Sequence, residues 1–215
     1  MVTIIITAIK DRGWLDEAIQ STLDQEYDNY EIILASDGNP DLKKYADKYK
    51  LKFSLSKGEG FTKNANKAIE ISKGEYLKFL SDDDLLTSNC IKDLINGIGK
   101  NPLAYANAIN FNERGESVYK SPPVDLNFLI KYKSSNLHDA TFLFKKDILL
   151  KTGFDEKVKN CEFFDIMINY LSKGYKFSYV DKIVCRYRKH TRQSSHIPNS
   201  HERMRVKNYI INKYT

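Results

Sequence analysis

The sequence has little of several features that define other classes of protein. Only three of its 215 residues are cysteine, and Cys90, Cys161 and Cys185 are widely spaced and form no CxxC pair. This number and spacing argue against a disulfide framework and a structural zinc site, so we expect three small core residues in a reducing cytosol. No segment approaches the roughly 20 consecutive apolar residues that a membrane-spanning helix needs. The composition therefore predicts one sizeable core without a membrane-spanning segment.

The first residues form a short apolar run that could be taken for a secretion signal. The run has no basic leader in front of it and no small-residue cleavage site behind it. We therefore interpret Val2–Ala8 as a strand buried on both faces, and we expect the protein in the cytoplasm.

Positive charge is concentrated towards the end of the chain. The net charge is +6, and from Arg186 to Thr215 there are eight Lys or Arg residues against one acidic residue, Glu202. Such a tail favours an anionic partner, although a solvated helix face accounts for most of these charges equally well. The basic residues are not interleaved with aromatic residues on a common strand, which argues against nucleic acid. Ser200–Tyr214 is moderately amphipathic, so peripheral contact with the inner face of a membrane stays open.

Strand and helix signals alternate in the first half of the chain. Apolar β-branched runs predict four strands, and segments with apolar residues at helical spacing lie between and after them. The strands are predicted at residues 2–8, 30–35, 51–55 and 75–81, and the helices at about 11–25, 42–49, 61–72 and 88–100. This alternation is typical of βαβ units, so we predict an α/β protein with a mostly parallel central sheet flanked by helices.

The second half of the chain is less regular. Residues 104–112 and 116–120 are predicted to form a hairpin, and 121–135 a loop with one short helix. Extended segments are predicted at 141–144 and 175–187, with a helix at 161–172. No internal repeat or linker divides the chain, so we predict a single domain over residues 1–215.

Three adjacent carboxylates directly follow the fourth predicted strand, in the segment FLSDDD at residues 79–84. An ordinary fold gains little from three like charges at this place. A divalent cation that bridges a diphosphate reverses that balance, because hard cations prefer oxygen ligands and phosphates need neutralisation. In open α/β sheets the ligand crevice lies at the carboxyl ends of the strands, where this segment falls. The alternative is an exposed acidic turn that caps the following helix.

Further short motifs accompany the acidic segment in a fixed order. The chain reads TAIK at residues 7–10, EIILASDGN at 31–39, KGEYLKFLSDDD at 73–84, GFDE at 153–156 and YRKH at 187–190. With these motifs, residues 2–195 resemble the GT-A-fold glycosyltransferases of family 2. The resemblance implies a Rossmann-like sheet with a nucleotide-sugar-binding half over about residues 1–100 and a smaller acceptor-side half over about 101–215. It further implies inverting, metal-dependent transfer of a sugar, most commonly from a UDP-sugar, to a hydroxyl acceptor.

The resemblance assigns roles to individual residues. Nucleotide contacts fall on a group at or near the predicted strand ends: Thr7, Ala8, Asp37, Asn66, Asp82 and Arg188. In this assignment Asp37 holds the nucleobase, and Arg188 neutralises the diphosphate. The resemblance also implies that Asp83 binds Mn²⁺ or Mg²⁺, with Asp82 and His190 as further ligands. The alternatives are an acceptor role for Asp37 in its own Asp-Gly turn and a surface position for His190.

On the acceptor side, the residue at the usual position of the general base differs from the family pattern. The usual Glu-Asp pair reads Glu162-Phe163 here, so Glu162 and Asp165 are the carboxylates available. On a helix these two residues share a face, and we favour Glu162 as the base. His138-Asp139 is a further acceptor-site pair on weaker grounds, and Trp14 is expected in the core. Ser36, Ser81 and Ala65 also replace residues that are usual in the family.

The sequence leaves rival functions open. Family members commonly build polysaccharide, lipopolysaccharide or glycoprotein glycans, so the acceptor would be a saccharide, a lipid-linked glycan or a protein glycan. A nucleotidyltransferase would also use strand-end acids, but it would need a glycine-rich basic loop after the first strand. A non-catalytic sugar- or nucleotide-binding module on a degraded scaffold is the second rival, because Ala65 and Phe163 replace functional residues.

Overall fold

The computed structural model describes residues 1–193 and 200–215. One nine-stranded sheet forms its centre, in the order β3-β2-β1-β4-β8-β6-β9-β5, with β7 paired to β6. The strands are β1 Val2–Ala8, β2 Tyr30–Asp37, β3 Lys52–Ser56, β4 Tyr76–Ser81, β5 Leu85–Leu86, β6 Leu103–Asn112, β7 Gly115–Tyr119, β8 Leu143–Lys145 and β9 Phe177–Arg188.

Helices cover both faces of this sheet. They are α1 Leu15–Leu23, α2 Lys43–Tyr49, α3 Phe61–Ile71, α4 Cys90–Ile98, α5 Leu126–Tyr132, α6 Lys146–Thr152, α7 Glu162–Ser172 and α8 Ser200–Tyr214. Buried residues of α1, α2 and α4 pack on one face, and those of α3 and α5–α8 pack on the other. None of the helices in the described part of the chain is long and apolar enough to cross a membrane.

The apolar run of β1 explains why the sheet is buried on both faces. Successive side chains of a strand point to opposite faces. Ile4 and Ile6 accordingly join the core under α1, α2 and α4, whereas Ile5 joins the core under α3. Strand β1 lies between β2 and β4 and therefore has no free edge. Its side chains are thus buried in one core on each face of the sheet.

The first half of the sheet confirms the predicted βαβ organisation. Strand β1 pairs in parallel with β2 and with β4, and β2 pairs in parallel with β3. The second half is mixed, because β8 runs antiparallel to both β4 and β6, while β9 runs parallel to β6. The predicted hairpin is present as β6 and β7. All three cysteines are free and buried, as expected.

Two local predictions are wrong, and one helix was missed. The first helix begins at Leu15 and not at residue 11, because Gly13 adopts a positive φ of 91° and its N–H donates to the Asp11 side chain. Thr141 ends a 3-10 turn, Asp139–Thr141, and strand β8 begins only at Leu143. Helix α6 was not predicted, because its seven residues include four charged or polar side chains that obscure the apolar spacing.

The register of the parallel strands brings the predicted site residues to one edge. Ala8 pairs with Ser36, and Thr7 pairs with Ser81. Asp37 and Asp82 follow these positions directly, two strands apart. Since neighbouring strands are about 4.8 Å apart, their backbones are separated by roughly 10 Å across the sheet. The end of β1 lies between them.

Gly74 allows β4 to start against β1. A Cβ atom at this position would lie 2.4 Å from the backbone nitrogen of Thr3 and 2.8 Å from the carbonyl oxygen of Tyr76. We therefore expect Gly74→Ala to lower the free energy of unfolding by about 1–3 kcal/mol, the usual cost of overpacking. Chemical denaturation would measure the change, and Lys73→Ala is the neighbouring control. Equal stability of the two variants would contradict this prediction.

Candidate active site

The three carboxylates after β4 are buried and form the turn that leads into β5. Asp82, Asp83 and Asp84 expose 4%, 7% and 2% of their surface. Charged carboxylates are seldom buried without compensating partners, because transfer from water into protein is costly. The turn is therefore not the exposed helix-capping segment that was the alternative, and its partners define the site.

Asp83 has two partners from distant parts of the chain. Its Oδ2 atom lies 3.0 Å from Nη1 of Arg12 and 3.0 Å from Nε2 of His190. Arg12 follows β1, and His190 follows β9, so the loops after three strands meet at this carboxylate. The structure thus brings His190 to Asp83, as the ligand assignment requires.

Asp82 is the least compensated of the three carboxylates. Its Oδ2 atom is buried and has no hydrogen bond, and the nearest cation, Nε of Arg12, is 3.8 Å away. Burial raises the pKa of Asp82 to about 6; the Arg12 charge opposes this shift and the Asp83 charge adds to it. An unpartnered carboxylate oxygen beside a second carboxylate is a place where a further cation would be stabilised.

Asp84 fixes the acidic turn to the end of β9. Its Oδ1 atom accepts a hydrogen bond from the backbone N–H of Arg188 at 2.9 Å. The Arg188 side chain donates from Nε to the Asp83 carbonyl at 2.9 Å and from Nη2 to Glu17 at 2.7 Å. Burial, with the neighbouring charge of Asp83, raises the pKa of Asp84 well above its usual range. Arg188 therefore holds the acidic turn in place through both its backbone N–H and its side chain.

The residues at this turn fit a divalent cation in their chemistry. Two carboxylates and an imidazole are hard or borderline ligands of the kind that Mn²⁺ and Mg²⁺ accept, and the Oδ2 atom of Asp82 has no hydrogen-bond partner among the described residues. Among the residues that the structure describes, no three acidic, histidine or cysteine side chains converge on one point. Arg12 contacts both Asp82 and Asp83 and supplies their positive charge in this arrangement.

Asp37 lies at the end of β2 with its carboxylate already engaged. Oδ1 accepts from the Ser56 hydroxyl at 2.6 Å, and Oδ2 accepts from the Gly60 N–H at 2.9 Å. These bonds hold the loop between β3 and α3, so Asp37 does not act as an acceptor within its own turn. Each carboxylate oxygen can accept a second bond, which leaves capacity for a ligand N–H.

The other residues that were predicted to contact the nucleotide lie at two different places in the fold. Thr7 and Ala8 end β1 beside the acidic turn, and the Thr7 hydroxyl donates to the Leu80 carbonyl at 3.4 Å. Asn66 lies on α3, where its amide bonds both the carbonyl and the N–H of Phe154. Asn66 therefore joins α3 to the GFDE segment, and its nucleotide role stays a prediction.

The two predicted bases lie at the start of α7 in different surroundings. Glu162 accepts from the Asn160 N–H at 3.0 Å, and burial raises its pKa. Asp165 is 2% exposed and lies 3.5 Å from Nζ of Lys213 on α8, and burial likewise raises its pKa. The basic C-terminal helix therefore packs on α7 and supplies a partner for Asp165.

Phe163 stands between these carboxylates in sequence but belongs to an aromatic cluster. Its ring centroid lies 5.4–6.0 Å from the rings of five other residues: Phe61, Phe79, Phe142, Phe144 and Phe154. Such ring pairs are worth about 0.5–1.5 kcal/mol each beyond their burial. The side chain at the usual base position thus contributes to packing and cannot accept a proton.

Sequence reasoning missed Arg12 and misplaced Trp14. Trp14 is not in the core: its ring lies 4.4 Å from the His190 ring, and the Arg188 and Arg192 guanidinium carbons lie 5.2 and 4.7 Å from its centre. Trp14 orients His190 by a tilted ring contact, with 43° between the two planes, and Arg188 by a cation–π contact. The signal that could have found both residues is their position in the loop after β1, at the same sheet edge as the acidic turn.

The fold and this site together define a class of protein: an α/β protein with an acidic, cation-compatible crevice at the carboxyl ends of parallel strands. Residues 3–153 match the model of glycosyl transferase family 2. The chain therefore belongs to this family.

Individual proteins that are similar to this chain are also named as glycosyltransferases. An uncharacterized glycosyltransferase of Rickettsia typhi is 30% identical over 80% of this chain and 58% of its own length. The Escherichia coli protein WfaP, a UDP-Glc:α-D-GlcNAc-diphosphoundecaprenol β-1,3-glucosyltransferase, is 27% identical over 88% of this chain and 78% of its own. This chain thus spans little more than half the length of the Rickettsia protein.

Solved structures confirm the GT-A fold. Staphylococcus aureus TarS in complex with UDP-GlcNAc superposes with a TM-score of 0.73 and 21% identity, over 99% of this chain and 67% of that one. A mannosyltransferase of Pyrobaculum calidifontis in complex with GDP-Man and Mn²⁺ gives 0.64 and 15% identity, over 89% and 57%.

Proposed function

We propose that the protein transfers a sugar from a nucleotide-diphosphate sugar, with UDP as the nucleotide, to a hydroxyl group of a glycan. The observation that carries the proposal is the buried carboxylate of Asp83, which contacts His190 and Arg12 beside Asp82, at the edge of the sheet that also carries Asp37. Membership of glycosyl transferase family 2 supports it. UDP is favoured because WfaP is named for UDP-Glc and the TarS structure contains UDP-GlcNAc.

Asp83, Asp82 and His190 would hold Mn²⁺ or Mg²⁺. The bound cation would act as a Lewis acid that stabilises negative charge on the departing diphosphate. Arg12 contacts the same two carboxylates, so its guanidinium must move when the cation binds and is then available for a phosphate oxygen. Arg188 keeps the turn in place through the Asp83 carbonyl.

At the acceptor side, Glu162 is the better placed of the two predicted bases. Asp165 is almost fully buried against Lys213, whereas Glu162 lies at the N-terminus of α7 with part of its surface open. The helix N-terminus stabilises its charged form. We propose inversion at the sugar carbon, with residues after about 101 forming the acceptor side.

The acceptor proposed is a lipid-linked glycan. WfaP is named for a diphosphoundecaprenol-linked acceptor. Lys189 and Arg192 follow the end of β9 close to the acidic turn and give this side of the site positive charge for an anionic acceptor, whereas Arg186 pairs with Glu116. Such an acceptor would bring a cytoplasmic protein to the inner face of the membrane.

Thermal melting against UDP, GDP, dTDP and CDP, each with and without Mn²⁺, tests the proposal. Saturation at about 100 times the Kd should stabilise the protein by roughly 2.7 kcal/mol. We expect this shift with UDP only when Mn²⁺ is present, and a smaller shift in Asp37→Ala. Release of UDP from UDP-sugars then distinguishes an enzyme from a binding module. No shift with any nucleotide would favour the degraded-scaffold alternative, and pyrophosphate release from nucleoside triphosphates would favour a nucleotidyltransferase.

A further inference from the structure

A short turn on the acceptor side carries a carboxylate that the proposed mechanism does not use. Asp139 begins the 3-10 turn Asp139–Thr141, which precedes β8. The turn is anchored from below by Lys78 of β4, a fully buried residue whose Nζ atom donates to the Ala140 carbonyl. The backbone of Asp139 is thereby fixed to the strand that ends in the acidic turn.

A second contact fixes the same turn to the end of β9. The ring of His138 stacks on Tyr187, with 4.1 Å between centroids and 21° between planes. Tyr187 directly precedes Arg188, whose N–H bonds Asp84 and whose side chain bonds the Asp83 carbonyl. Asp139 is therefore held by both strands whose ends form the proposed donor site.

The Asp139 side chain is free to act on a ligand. It is exposed to solvent at a point surrounded by protein, and no hydrogen bond to its carboxylate is found within residues 1–193 and 200–215. The other two acceptor-side carboxylates are engaged, Glu162 by the Asn160 N–H and Asp165 by Lys213. Among these three acceptor-side carboxylates, Asp139 is thus the one that is accessible to solvent and has no hydrogen bond within the described residues.

We propose that Asp139, in place of either predicted carboxylate of α7, is the general base of the transfer reaction, with Glu162 as its positioning partner. This inference rests on the proposed function. The acceptor hydroxyl oxygen forms the new bond to the sugar carbon, while the bond from that carbon to the diphosphate oxygen breaks and its electron pair leaves with the diphosphate. The hydroxyl proton passes to the Asp139 carboxylate. Asp139 would thus replace the carboxylate that Phe163 lacks.

The charges around Asp139 suit this task. Glu162 acts on it from α7 with like charge, whereas Lys78 of β4 and Arg203 of α8 act with opposite charge, and His138 is its neighbour in the turn. The protein that surrounds Asp139 limits the solvation of its charged form and, followed by the charge of Glu162, raises the pKa of Asp139 to about 7. A general base is most effective when its pKa lies near the working pH.

Lys78 also relates Asp139 to the donor site. The charge of this buried ammonium group partly offsets the rise that burial causes in the pKa of Asp84 and of Asp139. One cation thus acts on a carboxylate of the acidic turn and on Asp139. An acceptor hydroxyl between the diphosphate and the turn that carries Asp139 would meet this carboxylate.

The test compares Asp139→Asn, Asp139→Glu and Glu162→Gln with the wild type. UDP release from UDP-glucose and UDP-GlcNAc with Mn²⁺ is measured from pH 5 to 9, and the UDP-dependent melting shift reports donor binding. We expect Asp139→Asn to lose about 100-fold or more of the release rate at an unchanged melting shift, with partial recovery in Asp139→Glu. Glu162→Gln should retain more activity and move the pH midpoint of the rate downwards. Asp28→Asn, an exposed change before the amino end of β2, is the control.

A second measurement does not depend on turnover. Carboxyl NMR of the wild type should show Asp139 titrating near neutral pH, and the midpoint should fall in Glu162→Gln. A release rate within about 3-fold of wild type in Asp139→Asn, or an Asp139 titration near pH 4, would overturn the base assignment while the proposed function stands. Absence of any UDP-dependent shift or UDP release in the wild type would instead remove the proposed function, and this inference with it.

Discussion

Replacing Asp83 by asparagine is expected to lower UDP release from a UDP-sugar by about 1,000-fold. Lewis-acid stabilisation of a departing group is worth several kcal/mol, and each 1.36 kcal/mol corresponds to about tenfold in rate. Asp83 is the carboxylate that His190 and Arg12 both contact, so it stands at the centre of the proposed cation site. The Mn²⁺-dependent part of the UDP melting shift should disappear with the activity.

The variant itself should remain folded, because Asp83 is a source of repulsion in the acidic turn. Its charge raises the pKa of both Asp82 and Asp84, and asparagine removes this charge. Arg12 still has Asp82 as a partner after the change. We therefore expect melting of the ligand-free variant within a few degrees of the wild type.

Asp47→Asn is the matched control for this prediction. It makes the same chemical change on the exposed helix α2, where Asp47 pairs only with Lys43. Exposed pairs of this kind contribute about 0.3–0.5 kcal/mol, so neither stability nor turnover should change much. A full Mn²⁺-dependent UDP shift in Asp83→Asn would show that the cation is held elsewhere.

The parallel half of the fold follows from local sequence patterns. Four apolar runs with helices between them leave few arrangements other than βαβ units, and parallel pairing places all carboxyl ends at one edge. For this reason the proximity of Asp37 to Asp82 could be predicted without any structure. The same argument does not predict the strands in the second half of the sheet, where β8 has three residues and β5 has two. Strands this short carry no periodicity and are specified by their partners.

The contacts within the site were less predictable than its location. Arg12, His190 and Asp83 are separated by up to 178 residues in sequence, and only the folded chain shows that one carboxylate contacts both of the other side chains. Trp14 was assigned to the core because large aromatic residues near helices are usually buried. Its position at the crevice depends on the loop geometry set by Gly13, which periodicity does not report.

The acceptor side shows the limit of motif reasoning most clearly. A family pattern directs attention to α7, where Glu162 and Asp165 are found. The sequence also indicates His138-Asp139 as an acceptor-site pair, but no family motif gives Asp139 a role. The surroundings of Asp139 come from β4, β9, α7 and α8, so its chemistry follows only from the folded chain.

The ligand-free protein is expected to lose stability as the pH rises through the range in which Asp82 ionises. The folded-state pKa of Asp82 is about 6, above the value of 3.8 for an unperturbed aspartate. The folded state therefore binds this proton more tightly than the unfolded state, so the contribution is favourable at low pH and is lost between about pH 4 and 6. A pKa difference of this size corresponds to about 3 kcal/mol.

Comparison with Asp82→Asn isolates this contribution. In EDTA, the free energy of unfolding of the wild type minus that of the variant should fall by about 3 kcal/mol from pH 4 to pH 7. The other buried carboxylates are common to both proteins and largely cancel in the difference, apart from their coupling to Asp82. A difference that is independent of pH, or that grows with pH, would contradict the assignment of Asp82 as a buried and poorly compensated carboxylate.

Addition of Mn²⁺ with UDP should reverse this trend in the wild type. A cation needs its carboxylate ligands ionised, so binding competes with the proton on Asp82 and strengthens as the pH rises through about 6. The ligand-dependent melting shift should therefore grow over the same pH range in which the ligand-free protein loses stability. In Asp82→Asn the shift should be small and nearly independent of pH over that range. The burial of Asp82 thus lowers the stability of the empty site at neutral pH while keeping a charged ligand available for the cation.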